Sequence, residues 1–251
     1  REKLRESLRE SDRFLIQAIN ALDELDEEIG KLIERLREWY SLHFPELDGV
    51  RSHEQYVELV ARYGDRERIL ENFRMDVEES IGSDISSEDL HIFMDLAENI
   101  RRLQRLRQDT ERYIDLKMEK LAPNLRALAG ANVGARLIAH AGGLRELAML
   151  PSSTVQVLGA EKALFRHLKS NARPPKHGVI FQHPSIRSSP WWIRGKVARL
   201  LAGKTVIAVR KDVFSGEFDP EIIESFNERL ELIKKKNKKP PVKKKRFNRK
   251  R

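Results

Sequence analysis

Apolar positions near the start of the chain recur in steps that alternate four and three: Leu4, Leu8, Leu15, Ala18, Leu22, Leu25, Ile29, Leu32, Leu36 and Trp39, with Ser11 in the single gap. Glu10, Glu24, Glu28, Lys31 and Glu34 lie off that line. A 3.5-residue repeat sustained in this way predicts a coiled-coil seam on one long helix. Such a helix would reach roughly 55 Å at ~1.5 Å per residue, too long to be covered by its own domain alone. It should end near Ser41, because Pro45 cannot continue it and Asp48-Gly49 is a turn signal. Shorter helices are predicted over Ser52–Tyr63 and from Asp65 to Ser80. Ser86-Ser87-Glu88-Asp89 then opens a second long helix, with caps and acids in its first turn. That helix carries Leu90, Phe93, Ala97, Ile100, Leu103, Leu106 and Leu121 at similar spacing. The two long helices therefore pair as an antiparallel coiled-coil hairpin. The stripe left over is covered by a second copy of the chain or by the second half of the same chain. Leu15, Leu22, Leu25, Ile29, Leu32, Leu36, Ile100 and Leu103 are the candidates for self-association.

Pro123-Asn124 interrupts the pattern and predicts a domain boundary there. Leu125 to Ala141 is rich in small residues that permit close helix approach, and Gly142-Gly143 stops it. Leu144–Leu150 reads as a short helix, and Gly159 to Lys169 as another. Gly178-Val179-Ile180-Phe181 and Val206-Ile207-Ala208-Val209 read as a short strand pair. Between them Ser188-Ser189-Pro190 caps a helix expected over Trp191–Leu201 and ended by Gly203. Asp219-Pro220 opens a last helix to about Ile233. The expected architecture is mainly α: a coiled-coil dimerisation domain over residues 1–122, a mostly helical domain with a strand pair over 123–233, and a basic flexible tail over 234–251.

Charge changes this picture of two helical domains. Residues 1–120 carry 20 Lys+Arg and 30 Asp+Glu, whereas residues 121–233 carry 16 and 9 and residues 234–251 carry 12 and none. Within 121–211 only Glu146 and Glu161 are acidic against 15 basic side chains. A segregation of this kind suits a polyanion-binding half joined to an acidic spacer, because Lys and Arg that neutralise phosphates release condensed counterions. The absence of cysteine removes disulfides, cysteine nucleophiles and thiolate metal sites. No apolar run approaches the ~20 residues of a membrane span, so no membrane partner is expected. Arg1 begins inside the heptad-like pattern, which suggests a fragment of a longer chain.

Enzymatic chemistry finds no support in the motifs. Gly203-Lys204-Thr205 imitates the end of a phosphate-binding loop, but Ala198 stands where its first glycine is required. The seven histidines show no metal-ligand spacing, and no Gly-x-Ser-x-Gly elbow occurs. Neither catalytic residues nor a cofactor or metal is expected. Steps of four and three place Lys162, Arg166 and Lys169 on one face of a helix, ready for phosphates. Leu164 and Phe165 beside them either pack inward or meet a base or a protein partner.

Gly159-Ala160-Glu161-Lys162-Ala163-Leu164-Phe165-Arg166 is the most distinctive stretch. With Gly130-Ala131-Asn132-Val133-Gly134-Ala135-Arg136-Leu137, Ala141-Gly142-Gly143-Leu144, Leu150-Pro151-Ser152-Ser153-Thr154-Val155-Gln156 and Arg194-Gly195-Lys196-Val197-Ala198-Arg199, it resembles the Nop-domain family. That family includes the archaeal scaffold protein of box C/D ribonucleoproteins and its nucleolar and spliceosomal relatives. Trp39-Tyr40-Ser41-Leu42-His43-Phe44-Pro45 looks like the family's turn after the first coiled-coil helix. The resemblance implies a noncatalytic scaffold that dimerises through its coiled coil. It would bind box C/D guide RNA at a kink-turn, together with the small kink-turn-binding protein. It would support guide-directed 2′-O-methylation by fibrillarin, held by a family N-terminal domain that this sequence does not show. Gln156, Gly159, Ala160, Glu161, Lys162, Leu164, Phe165, Arg166, Lys169, Lys176, His183, Arg194, Lys196 and Arg199 form the expected RNA and ribonucleoprotein surface. An archaeal member would be cytoplasmic and a eukaryotic one nucleolar. The competing readings are a coiled-coil adaptor with a nonspecific polyanion-binding tail and a spliceosomal-type member of the family.

Overall fold

A computed structural model of the protein describes residues 2–77, 79–170 and 172–240, with side chains from Asp12 onward. Among the described residues the regular structure is helical throughout, with 3-10 turns at Pro45–Gly49 and Val179–Gln182 and no strand. Two compact units form, one from Ala21–Arg112 and the other from Arg1–Asn20 together with Tyr113–Arg251. Helix α1 (Glu2–Tyr40) and helix α4 (Ser87–Leu121) each contribute to both units. Among the described residues no helix is long and apolar enough to cross a membrane.

In the 21–112 unit, Ile29, Ile33, Leu36 and Tyr40 of α1 share one core with Phe93, Ala97 and Ile100 of α4. Helix α2 (His53–Tyr63) adds Tyr56, Val57 and Val60, and helix α3 (Arg66–Asn72) adds Ile69. Arg107 Nε donates to Asp26 Oδ1 at 2.7 Å, pairing α4 with α1. Among the described residues the buried apolar side chains of α1 are Leu15, Ile19, Leu22, Ile29, Ile33, Leu36 and Tyr40, which is a broader stripe than the expected seam. Leu25, Leu32 and Leu103 sit at the edge of the core, partly buried, and Trp39 is 40% exposed. Leu15, Leu22, Ile29, Leu36 and Ile100 are thus occupied by packing within the chain. The seam positions Leu4 and Leu8 lie outside the described side chains.

The helix expected from Asp65 to Ser80 stops at Asn72. Phe73, Met75 and Val77 alternate, and all three pack against the core, so the chain there is extended with a period of two. Glu46 holds the following bend, accepting from Ser80 Oγ at 2.7 Å and from the Ile81 N–H at 2.9 Å.

The other unit is built on helix α11 (Arg194–Phe214), which buries Val197, Ala198, Leu201, Ala202, Thr205, Val206, Ala208 and Val209. The expected strand Val206–Val209 is therefore helical, and the helix passes through Gly203 without a break. A helix buried on several sides carries a nearly continuous apolar run, and over four residues such a run looks like a strand. The other expected strand, at Val179–Phe181, is the second 3-10 turn. The small-residue stretch divides at Gly130 into α5 (Pro123–Ala129) and α6 (Ala131–Ala141). Then follow α7 (Leu144–Met149), α8 (Ser152–Val157), α9 (Glu161–Lys169), α10 (Pro184–Arg187) and finally α12 (Glu221–Lys236). Helix α12 runs three residues beyond the expected end, and residues 241–251 of the expected tail lie outside the described residues.

Short helices in this unit are capped by carboxylates from distant parts of the chain. Asp12 Oδ2 accepts the Leu144 N–H at the start of α7, at 3.0 Å across 132 positions. Asp212 accepts from the Asn124 N–H and the Leu125 N–H, both at 2.9 Å, and from Asn124 Nδ2 at 2.7 Å. Asn124 is almost fully buried; its amide also donates to the Glu217 carbonyl and accepts the Asp219 N–H. One asparagine thus joins the start of α5 to both sides of the α11–α12 connection. Asp212→Ala strands these donors and is expected to cost about 3 kcal/mol in chemical denaturation. Asp212→Asn, which keeps an acceptor oxygen, is expected to cost less; equal stability of Asp212→Ala and the parent would show that the cap carries no weight.

Candidate nucleic-acid interface

Between Gly159 and Gly178 the chain makes an excursion whose helix, α9, buries no residue. Its base is closed by a backbone clasp. The Gly178 N–H donates to the Gln156 carbonyl at 2.9 Å, and the Val179 N–H donates to the Leu158 carbonyl at 2.8 Å. Gln156 Nε2 adds a bond to the Lys176 carbonyl at 2.7 Å. Both glycines are required by this closure. A Cβ on Gly178 would lie 1.9 Å from the Leu158 oxygen; Gly159 holds φ +83°, and its Cβ would come within 2.4 Å of Val179 Cγ2. The clasp pairs two segments as strands would, yet their own residues are in helix, turn and loop.

On α9 the side chains divide into sectors. Lys162, Arg166 and Lys169 are exposed along one line, as their spacing predicts. Phe165 and Leu168 are 61% and 70% exposed, and a step of three puts them on an adjacent line. Only Leu164 and His167 are partly covered, with His167 Nδ1 at 2.6 Å from the Ala172 carbonyl. Phe165 is therefore not a core residue. Leu168 was not among the expected interface residues, and its exposure adds it to the outward face of α9.

Glu161 has a structural explanation. Its Oε1 accepts the Gly159 N–H at 2.7 Å, which ties the start of α9 to the clasp. Partial desolvation works to raise its pKa, but the hydrogen bonds from its own N–H and that of Gly159, with His140 nearby, hold it below the ordinary value. Ala160 is the partly covered residue ahead of the helix.

The remaining expected residues separate into outward cations and inward fasteners. Lys176, Lys196 and Arg199 are exposed. Arg194 is half-buried: its Nε donates to the Ser189 carbonyl at 2.9 Å, and its guanidinium lies 5.4 Å from the Phe181 ring centre. Phe181 in turn stacks on His177, with 4.4 Å between ring centres. Burial, and after it the positive charge of Arg194, pushes His177 below its ordinary pKa. His183 has both ring nitrogens occupied. Its Nε2 lies 3.1 Å from the Leu128 carbonyl, and its Nδ1 accepts from Ser185 Oγ and the Ser185 N–H, capping α10. His183 and Arg194 hold the platform behind the interface, because the carbonyls and N–H groups around them left their polar atoms partners inside the fold. Among the described residues no group of three or more His, Asp or Glu side chains could hold a metal ion.

A family model described as "snoRNA binding domain, fibrillarin", the Nop model, matches residues 21–232. The chain belongs to the Nop family. The chain is 42% identical over 245 residues to a NOP5 family protein of Methanocaldococcus jannaschii, covering 92% of this chain and 59% of that one. Nucleolar protein 58 of Candida albicans is 39% identical over 233 residues, covering 87% of this chain and 45% of its own length. The chain thus spans about half the length of these Nop relatives. A crystal structure of a fibrillarin/Nop5p complex contains a chain with 33% identity and a TM-score of 0.59, matched over 92% of this chain and 72% of that one.

Two outcomes test this geometry. Gly178→Ala drives a methyl group into the Leu158 carbonyl, so hydrogen exchange of the α9 amides should accelerate at least about tenfold while the α11 amides keep their protection. Burial lowers the His183 pKa against the pull of the Leu128 carbonyl. The neutral ring therefore stabilises the fold fully above the unfolded-state value of about 6.5, and that stability is lost as pH falls through the folded-state pKa. The melting temperature should drop on going from neutral to mildly acidic pH, and His183→Gln should flatten that part of the profile; an unchanged profile in the variant would refute the role given to His183.

Proposed function

We propose that this Nop-family chain is a noncatalytic scaffold of a box C/D ribonucleoprotein, binding kink-turn RNA together with the small kink-turn-binding protein. The observation that carries the reading is the pair of stripes on α9. Lys162, Arg166 and Lys169 suit a phosphate backbone, while Phe165 and Leu168 offer an apolar contact that phosphates cannot use. A surface with both needs a ligand with both, which an RNA already occupied by a protein supplies. Lys176, Lys196 and Arg199 extend the cationic side. The name of the family model and the fibrillarin/Nop5p complex support a role alongside fibrillarin in guided 2′-O-methylation, with the methyl transfer carried out by fibrillarin. The archaeal relative at 42% identity favours a cytoplasmic archaeal particle over a nucleolar one.

Self-association stays part of the proposal on altered surface. The expected seam is largely spent inside the chain, so a second copy would meet the apolar side chains that remain exposed on the 21–112 unit, such as Leu42, Ile81, Ile92 and Leu106. Light scattering of the intact chain should show a dimer; a monomer at the highest soluble concentration would remove this element alone.

The scaffold reading is tested by titrating kink-turn RNA with and without the small protein across salt. Lys162→Glu with Arg166→Glu should weaken binding at least about tenfold and reduce the salt slope by about 2. Phe165→Ser with Leu168→Ser should leave binding to bare RNA unchanged and abolish the gain from the small protein. A chain cut after Ile233 should retain that gain. If the cut chain loses all binding, or the small protein makes no difference to the parent, the adaptor with a polyanion-binding tail is the better account.

A further inference from the structure

The expected helix start at Trp191 is instead a turn: the Ile193 N–H donates to the Pro190 carbonyl at 3.0 Å, and α11 begins only at Arg194. The turn is fastened on every side but one. Ile193 is buried, Ser189 Oγ donates to the Ser185 carbonyl at 2.6 Å, and Trp192 Nε1 donates to the Asn237 carbonyl at 2.9 Å. Trp191 remains outside, 59% exposed, set edge-on to Trp192 with ring centres 5.9 Å apart and planes at 90°. A single exposed apolar residue is ordinary on a protein surface. Its surroundings here are not.

Lys176 Nζ lies 6.0 Å from the Trp191 ring centre, at the reach of a cation–π contact. Lys176 returns from the α9 excursion, so the indole adjoins the proposed interface. On the other side, Asn237 anchors the end of α12 to Trp192, and Lys196 Nζ donates to Asn237 Oδ1. The exposed Lys234, Lys235, Lys236, Lys238 and Lys239 therefore lead away from the same turn. From residue 162 to residue 211 no acidic side chain interrupts the cations. An exposed aromatic face seated on a fastened turn, with cations on both flanks, is the combination that grips single-stranded nucleic acid: stacking holds a base, and lysines follow the phosphates.

We propose that Trp191 is a stacking platform for one unpaired nucleobase of an RNA strand whose phosphates are met by Lys176, Lys196, Lys235, Lys236, Lys238 and Lys239. This rests on the RNA-binding reading and adds a second contact to it, separate from α9. Stacking on an indole tolerates any base, so the platform reads the presence of an unpaired nucleotide and not its identity.

The test uses the full chain, with an oligouridine of about eight nucleotides and its abasic counterpart as probes. Trp191→Ala should weaken oligouridine binding about tenfold and leave binding of the abasic strand unchanged, while Trp191→Phe should stay within about threefold of the parent. Tryptophan fluorescence quenching by oligouridine should diminish in Trp191→Phe, which keeps the fold and the stack but removes that fluorophore. Equal oligouridine affinity of Trp191→Ala and the parent overturns the platform, as does an equal loss on the abasic strand or a loss confined to binding of the small protein. If charge reversal on α9 leaves kink-turn binding intact while the Trp191 effect persists, the scaffold reading falls and the platform stands; the converse overturns the platform alone.

Discussion

The exposed helix of this protein keeps its place through the backbone clasp at its base. A nine-residue helix with no buried side chain has little reason to persist by itself, since nucleation is costly and propagation over two turns returns little. Its order comes from outside: the Gly178 and Val179 N–H groups bonded to the Gln156 and Leu158 carbonyls, the Gln156 amide on the Lys176 carbonyl, and Glu161 on the Gly159 N–H. Each bond contributes on the order of 1 kcal/mol net, enough together to favour the closed excursion. Close approach is possible because two positions carry no Cβ. The proposed interface can then be all surface, with Lys162, Phe165, Arg166, Leu168 and Lys169 exposed and none committed to a core.

Behind the clasp several buried polar groups are paired with one another. Asn124 and Asp212 satisfy one another and the first turn of α5, while Arg194 and His183 fasten the 3-10 turn and α10. These residues look like interface chemistry when only their charge and neighbours in sequence are considered. Their partners are carbonyls and N–H groups far along the chain. The division of labour is by reach: lysines and Arg199 extend into solvent, and the planar groups of Arg194 and His183 turn inward where fixed geometry is useful.

Helices with one apolar stripe were legible, and so was the break at Pro123. The long first helix is where its spacing puts it, but its buried stripe includes Ile19, Ile33 and Tyr40, because several helices cover it instead of one. Buried α11 defeats the periodic signal: Val206–Val209 is apolar on all sides and offers no alternation to separate helix from strand. Phe73, Met75 and Val77 alternate with Arg74 and Asp76, a readable period of two that the helix expected over Asp65–Ser80 passed over. At the site, the cationic line of α9 followed from spacing alone. The exposure of Phe165 and Leu168 did not, since a leucine at helical spacing states that a face is apolar and says nothing of whether anything covers it. The glycines of the clasp were visible as residues, but their purpose depends on a carbonyl twenty positions away.

The bond from Leu144 to Asp12 closes a loop of 132 positions, and this bears on how the chain folds. The basic unit is discontinuous in sequence, joining residues 1–20 to residues 113–251. Closing so long a loop of loose chain would be slow, because the entropy must be lost before any contact repays it. The 21–112 unit shortens the task. Its contacts are internal to one stretch, and the Arg107–Asp26 ion pair draws together the two helices near the points where they leave it. With those helices paired, the 21–112 unit shortens the effective loop between Asp12 and Leu144, so the entropy of closing it is smaller than its 132 positions imply.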